Sequence, residues 1–240
     1  MTPAIASAAL GQSYWYLTRG TGIVALLLLT AVMVIGILGP LRVSLAPIWP
    51  RFALDAMHRD LSMIAVAMIV IHVVTSVLDG FAPIHLIDAI VPFQSAYRPL
   101  WLGLGTIAFD LMLAVIFTSL VRRRLGYGIW RLVHWLAYAS WPLAVAHGIG
   151  TGSDSEEAWA LAVTFACVVL VALATFVRVI RAERIGENQR TAAIALVAAV
   201  PVALGVFTFE GPLSPNWARR AGTPMQLLAP DTTPAAVSGR

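Results

Sequence analysis

The chain has 240 residues, of which 59% are hydrophobic and only 12% are charged, so it is more apolar than a soluble core requires. Its net charge of +4 depends on 16 basic residues, all of them arginines. They do not form the basic, aromatic-rich soluble face that nucleic-acid binding would need. The composition therefore predicts an integral membrane protein, whose first partner is membrane lipid, and it does not indicate a nucleic-acid-binding protein.

Six segments are long and apolar enough to cross a bilayer, which takes about 20 residues of helix. In chain order they are residues 17–39, 54–78, 99–120, 129–149, 158–180 and 192–209. The expected fold class is therefore all-α, a polytopic membrane protein built as a bundle of six transmembrane helices. Residues 1–16 form an N-terminal segment, residues 17–209 the transmembrane domain and residues 210–240 a tail. The tail is rich in Pro, Ala and Thr, so we expect it to be mostly disordered.

The arginines divide the connections between these segments into two groups. Arg122, Arg123 and Arg124 lie between the third and fourth segments, and other arginines lie between the first and second and between the fifth and sixth. The opposite connections are acidic and carry Asp79 and Asp154. By the positive-inside rule the arginine-rich connections are cytoplasmic. We therefore expect a multi-pass protein of the inner or plasma membrane with both termini extracytoplasmic.

Two of the predicted spans carry a histidine near each end. His58 and His72 are 14 positions apart in the second span, and His134 and His147 are 13 apart in the fourth, which correspond to about 21 and 20 Å of helix. Both spans run from the cytoplasmic to the outer side, so His58 and His134 share an inner depth and His72 and His147 an outer one. Thirteen steps of about 100° miss the starting face by about 140°. The fourth span must therefore kink or twist, and Pro142 is a plausible cause.

Imidazoles inside a membrane are costly and usually functional. Two neutral imidazoles form a suitable axial ligand set for heme iron. Each binds the iron through one ring nitrogen and donates the N–H of its other ring nitrogen to another group. Zinc or copper is the competing interpretation, although a closed site takes three or four ligands and no Cys, Asp or Glu is placed to join either pair. Two bis-histidine hemes stacked across the membrane would form a path for electrons. The alternative is a non-redox membrane protein that uses the histidines for metal transport or packing.

The paired H-x13-H and H-x12-H patterns resemble the ferric-reductase-like transmembrane domain. Ferric reductases, NADPH oxidases and the heme-binding subunit of the methionine sulfoxide reductase system share this domain. The stretches YWYLTRGTG, YRPLWLGLG and AHGIGTGSD are similar to its bacterial members without a flavin domain, and the resemblance covers about residues 14–180. It implies two hemes of b type. His58 and His134 would ligate the inner heme, and His72 and His147 the outer one.

The resemblance also bears on the partners. NADPH oxidases carry a cytosolic FAD- and NADPH-binding domain after the last helix, and this sequence shows none. The resemblance therefore implies a separate electron donor, either a flavoprotein or a quinol, and an extracytoplasmic acceptor or flavin-binding partner. The chain would then be a component of an oxidoreductase, and whether it is catalytically active in isolation stays open.

Four further side chains are candidates for roles near the hemes. Arg19 and Arg98 begin the first and third spans at the outer face, where each could bind heme propionates or simply anchor the span at the interface. Asp110, near the middle of the third span, could relay protons, pair with an arginine or act as a packing group. His85 lies in the outer loop, where an exposed structural role is favoured over a third metal site or an acceptor contact.

Overall fold

The computed structural model of the protein describes residues 3–41, 51–182 and 186–228, and within these ranges it contains helices and turns but no strand. Short 3-10 turns occupy Gly39–Leu41 and Leu86–Ala89. In chain order the α-helices are α1 (Pro3–Leu38), α2 (Arg51–Leu78), α3 (Pro99–Leu120), α4 (Arg122–Leu125), α5 (Tyr127–His134), α6 (Ala137–Thr151), α7 (Ala158–Ile180), α8 (Glu187–Glu210), α9 (Trp217–Arg220) and α10 (Met225–Leu228).

Five of the described helices are long and apolar enough to cross a membrane. They are Ser13–Leu41, Phe52–Leu78, Pro99–Leu120, Ala158–Ile180 and Glu187–Glu210. Large apolar side chains such as Phe117, Leu120 and Phe165 are exposed along these helices, as a surface bathed in lipid requires. The prediction of an all-helical, multi-pass membrane protein is confirmed.

The span predicted at 129–149 is divided into two helices, α5 and α6. A tight turn at Trp135 and Leu136 joins them, and neither helix alone is long enough to count as a membrane span. The sixth span, and with it the outward position of both termini, therefore stays a prediction.

The turn between α5 and α6 also changes the direction in which side chains point. The Leu136 N–H donates to the Val133 carbonyl at 2.9 Å and the Ala139 N–H donates to the Leu136 carbonyl at 3.0 Å, which is the i→i+3 pattern of a 3-10 turn. Each residue of a 3-10 turn rotates by about 120° around the helix axis, compared with about 100° in an α-helix. Three such residues therefore add about 60° and reduce the angle between the faces that carry His134 and His147. Pro142 lies farther along, inside α6, so the sharpest irregularity is not at the proline.

The helices pack as two antiparallel pairs, α1 with α2 and α3 with α6, and α1 also packs against α7. Within the described part of the chain, α2 packs closely on α1 and on the 3-10 turn that follows α1, and no comparably close packing joins α2 to α6. The buried core lies between α1, α6 and α7 and includes Ile37, Trp141 and Val145. Cys167 is 2% exposed within it and serves as a small apolar core residue.

The segment after α8 differs from the sequence expectation. Residues 211–228 turn back and form α9 and α10, whereas the sequence predicts a mostly disordered tail from residue 210. Trp217 is 9% exposed, and its ring lies 5.3 Å from that of Trp101 and 5.7 Å from that of Phe207. Trp217 packs on these two aromatic rings of the bundle, and Thr223 accepts a hydrogen bond from Arg98 at the start of α3, so both contacts hold the segment. Residues 229–240 of the predicted tail lie outside the described residues.

Candidate functional site

The fold brings the four intramembrane histidines together as two pairs. The ring centroids of His58 and His134 lie 6.3 Å apart with an interplanar angle of 63°, and those of His72 and His147 lie 6.3 Å apart at 86°. Each pair joins α2 to the α5–α6 segment across the gap between these helices. The pairing that the sequence predicts from depth therefore matches the contacts that the structure shows.

The spacing within each pair suits two imidazoles on opposite sides of one metal atom. A metal–imidazole bond is about 2 Å and the ring nitrogen lies about 1 Å from the ring centre, so two opposed axial rings have centroids about 6 Å apart. No described hydrogen bond uses the Nε2 atom of any of the four rings. The donor set and its spacing therefore fit a planar group held between α2 and α5–α6.

Backbone carbonyls fix the orientation of three of these rings. The Nδ1 atom of His72 lies 2.8 Å from the Thr18 carbonyl, and that of His147 lies 3.0 Å from the Trp101 carbonyl. The Nδ1 atom of His58 lies 3.2 Å from the carbonyl of Val32. A carbonyl only accepts, so each Nδ1 carries the proton and each Nε2 keeps a lone pair for a metal. This arrangement is typical of metal-ligating histidines, in which the second ring nitrogen donates to an acceptor.

A glycine lies four residues after each of these three carbonyls. A Cβ added to Gly22 would lie 3.0 Å from the Cε1 atom of His72, and one added to Gly36 would lie 3.1 Å from the Cε1 atom of His58. A Cβ on Gly105 would lie 2.7 Å from the Cε1 atom of His147, closer than real Cβ contacts come. We call each carbonyl and its following glycine a ring cradle: Thr18 with Gly22, Val32 with Gly36, and Trp101 with Gly105.

The sequence interpretation did not single out these glycines, although a signal for two of them was present. Gly22 and Gly36 are 14 residues apart in α1, the same spacing as His58 and His72 in α2. Equal spacing on two antiparallel neighbours places each glycine beside one histidine. Gly105 has no such partner spacing, and only the packing of α3 on α6 reveals its role.

His134 is held differently from the other three histidines. Its Nδ1 atom is buried and has no hydrogen-bond partner among the described residues. Its ring stacks instead on Trp130, one turn earlier in α5, with centroids 5.0 Å apart and an interplanar angle of 29°. The inner pair therefore has one ring fixed by a carbonyl and one fixed by an aromatic stack.

The outer pair lines a cavity of about 340 Å³ between the helices, a volume typical of small-molecule and cofactor sites. Its wall is mostly apolar, and Asp79 and Tyr97 lie where the loop after α2 meets it. Burial raises the pKa of the Asp79 carboxyl above its ordinary value. Burial also raises the pKa of the Tyr97 phenol, and the charge of Arg98 opposes that rise.

The two arginines proposed for propionate binding lie in different surroundings. Arg19 lines the cavity, forms an ion pair with Asp154 and lies over the Trp15 ring at 3.9 Å. Arg98 is 9% exposed and does not line the cavity. Its guanidinium donates to the Gly150 carbonyl and to the Thr223 hydroxyl, each at 3.0 Å. In the structure Arg98 therefore ties the outer ends of α3 and α6 to the C-terminal segment.

The remaining candidates lie apart from the histidine pairs. Asp110 is on α3 with its side chain exposed on the apolar surface of the bundle, and no hydrogen bond or ion pair is described for it. His85 begins the 3-10 turn Leu86–Ala89, and its side chain is 75% exposed, 3.8 Å from Asp88. Among residues 3–41, 51–182 and 186–228 no three His, Cys, Asp or Glu side chains come together as a metal site would require. The zinc or copper alternative therefore gains no further ligands from the fold.

Comparison with known proteins identifies the family. No curated protein and no solved structure matches the chain. The family model described as "Ferric reductase like transmembrane component" matches residues 21–145, a range that includes His58, His72 and His134 and ends just before His147. Domains of this family generally bind heme, work with partner redox domains and transfer electrons across a membrane. Because the match covers more than half of the 240 residues, the chain belongs to the ferric-reductase-like transmembrane family.

Proposed function

We propose that the protein is a transmembrane electron carrier with two b-type hemes. His58 and His134 ligate the inner heme iron, and His72 and His147 ligate the outer one. Electrons enter from a cytoplasmic flavoprotein or from a quinol and leave to an extracytoplasmic acceptor or flavin-binding partner. The chain thus acts as the membrane component of an oxidoreductase in the inner or plasma membrane.

One observation carries this proposal: two histidine pairs with the same ring separation of 6.3 Å bridge the same gap at two levels of the bundle. The levels are about 21 Å apart along α2. Packing histidines would be expected to use both ring nitrogens in hydrogen bonds, because an unsatisfied polar atom in a membrane interior is costly. No hydrogen bond within the described residues uses the Nε2 atoms, and the Nδ1 atoms of three rings donate to carbonyls, which is the division of roles in a metal ligand.

The chain's own residues determine what kind of redox site this is. A bound heme would supply one-electron chemistry, and the two imidazoles of each histidine pair would hold it. The wall of the outer cavity is mostly apolar, and Arg19, which pairs with Asp154 at its edge, would bind the propionate carboxylates of the outer heme. Arg98 remains a second propionate candidate, although its present hydrogen bonds favour a role in anchoring the C-terminal segment.

The test is a heme count combined with a reduced-minus-oxidised spectrum of the purified protein. We expect two b-type hemes per chain in the wild type and about one in His72→Ala, with the remaining heme still reducible. His85→Ala is the matched control, since it removes an exposed loop histidine and should keep both hemes.

A protein that contains no heme, or in which His72→Ala removes none, would contradict the proposal. The alternative, a non-redox protein using the histidine pairs for metal transport or packing, predicts zinc or copper without heme, or no metal at all. Elemental analysis of the same sample separates the two functions.

A further inference from the structure

The inner and outer histidine pairs differ in how their second nitrogen is held. In the outer pair both rings donate from Nδ1 to a carbonyl of a ring cradle: His72 to the Thr18 carbonyl and His147 to the Trp101 carbonyl. In the inner pair only His58 does so, and the Nδ1 atom of His134 is buried without a partner among the described residues.

The place where a fourth ring cradle would lie is occupied by a different contact. The two cradles of α1 are 14 residues apart, and the same step from Trp101 and Gly105 along α3 reaches Val115 and Ser119. Ser119 has a side chain where the cradles have glycine, and its Oγ donates to the Val115 carbonyl at 2.7 Å. The carbonyl that would match the other three already has a side-chain donor of its own.

Trp130 connects this altered position to His134. Its Nε1–H donates to the Ser119 Oγ at 3.1 Å, so α3 holds the indole by a directional bond. The opposite contact of the indole is the stack on the His134 ring, with centroids 5.0 Å apart. The Arg122 guanidinium lies 5.5 Å from the centre of the same indole and adds a cation–π contact. The sequence of contacts from α3 to the histidine is therefore Ser119, Trp130, His134.

We propose that Trp130, held by Ser119, is the positioning residue of His134 and sets the inner heme site apart from the outer one. This inference rests on the proposed function, because it assumes that His134 ligates the inner heme. The indole plane fixes the plane of the imidazole, as a carbonyl acceptor does for the other three rings. The stack accepts no hydrogen bond from the Nδ1–H, so it leaves the imidazole less basic than one bonded to a carbonyl. A less basic ligand favours the reduced iron, so the absent carbonyl raises the midpoint potential of the inner heme.

The experiment uses the purified holoprotein and variants that loosen or remove the indole. Ser119→Ala removes the hydroxyl that holds the indole, and Trp130→Ala removes the stack. Trp130→Phe restores a ring without the Nε1–H. Thr118→Val is the matched control, because its hydroxyl bonds only to carbonyls of its own helix. The readouts are heme count, the low-spin electron paramagnetic resonance signal of each heme and the midpoint potential of each heme, with the signal surviving in His72→Ala defining the inner heme.

We expect all four variants to retain two hemes and the outer signal to stay as in the wild type. The inner signal should broaden in Ser119→Ala and shift most in Trp130→Ala, with the inner midpoint potential moving with it. Trp130→Phe should return the inner signal most of the way towards the wild type, and Thr118→Val should leave it unchanged.

Two results would overturn the inference. One is an inner signal and potential that stay unchanged in Ser119→Ala and Trp130→Ala. The other is a shift of equal size in both hemes, since this would mean a general change of the bundle. Failure of the proposed function looks different: the wild type itself would then lack two b-type hemes.

Discussion

At the scale of single residues, the close approach of helix backbones to imidazole rings distinguishes this bundle. Gly22, Gly36 and Gly105 each present backbone where any other residue would present a side chain, and each lies against one histidine. The clearance differs, because a Cβ at position 105 would overlap His147 whereas those at 22 and 36 would only crowd their rings. His147 is therefore the histidine most sensitive to the backbone beside it.

We predict that Gly105→Ala lowers the heme content of the purified protein from two to about one. The added methyl would lie 2.7 Å from the Cε1 atom of His147 and must push the ring away from its partner on α2. Gly36→Ala should have a smaller effect, since its closest ring atom is at 3.1 Å. Heme stoichiometry and the reduced spectrum provide the measurement.

Gly20→Ala is the matched control for these substitutions, because a Cβ there meets nothing within 4 Å. It should keep both hemes and, as a helix-interior glycine replaced by alanine, gain about 0.5–1 kcal/mol of stability. Two full hemes with an unchanged spectrum in Gly105→Ala would show that the ring cradle of His147 is not needed.

At the scale of helices, a buried hydrogen bond fixes α6 to α1 between the two histidine levels. The Trp141 Nε1–H donates to the Thr30 Oγ at 3.2 Å, and the two side chains are 4% and 3% exposed. Trp141 lies midway between His134 and His147, so this contact sets how the segment carrying both histidines lies against the rest of the bundle. The 3-10 turn at Trp135 and Leu136 then sets the direction of His134 on α5 relative to that of His147 on α6.

We predict that Thr30→Val destabilises the protein by about 1 kcal/mol, because it leaves the indole N–H of Trp141 buried without an acceptor. Thermal unfolding in detergent is the measurement, and the transition should move to lower temperature. Thr21→Val is the control, since Thr21 bonds only to carbonyls of its own helix. Equal unfolding temperatures for the two variants would mean that the bond contributes nothing to holding α6 on α1.

At the scale of the whole molecule, the two segments that carry the paired histidines run in the same direction. His58 pairs with His134 and His72 with His147, so the earlier histidine of each segment lies at one level and the later at the other. The distribution of arginines predicts that the level of His58 faces the cytoplasm. Residues 122–124, in α4, and the turn at 153–156 lie at opposite ends of the bundle, so their accessibility from each side of the membrane reveals the orientation.

Cysteine labelling in intact cells tests this orientation. The native Cys167 is buried, so an impermeant maleimide should not react with the wild type. We predict that Glu156→Cys is labelled in intact cells and that Arg123→Cys is labelled only after the membrane is permeabilised. Both residues are exposed, so burial does not confound the comparison. The reverse pattern would invert the direction of electron flow that we propose.

The sequence by itself determined the class of protein and the pairing of the histidines. The membrane spans can be predicted from hydropathy because each needs about 20 apolar residues to cross the bilayer, and this requirement does not depend on how the helices pack. The depth of each histidine is equally readable, because helix rise is constant along the chain. Those two regularities were enough to match His58 with His134 and His72 with His147.

Only the tertiary structure decided how those histidines are held. The carbonyls of Thr18, Val32 and Trp101 belong to helices other than those of their histidines, and no local pattern says which backbone will lie beside which ring. The folded segment at 211–228 also depends on contacts made across the bundle. Local sequence determines the membrane spans and the depth of each histidine within them. The hydrogen-bond partners of the histidine Nδ1 atoms depend on packing between helices, so the difference between the inner and outer pairs appears only in the tertiary structure.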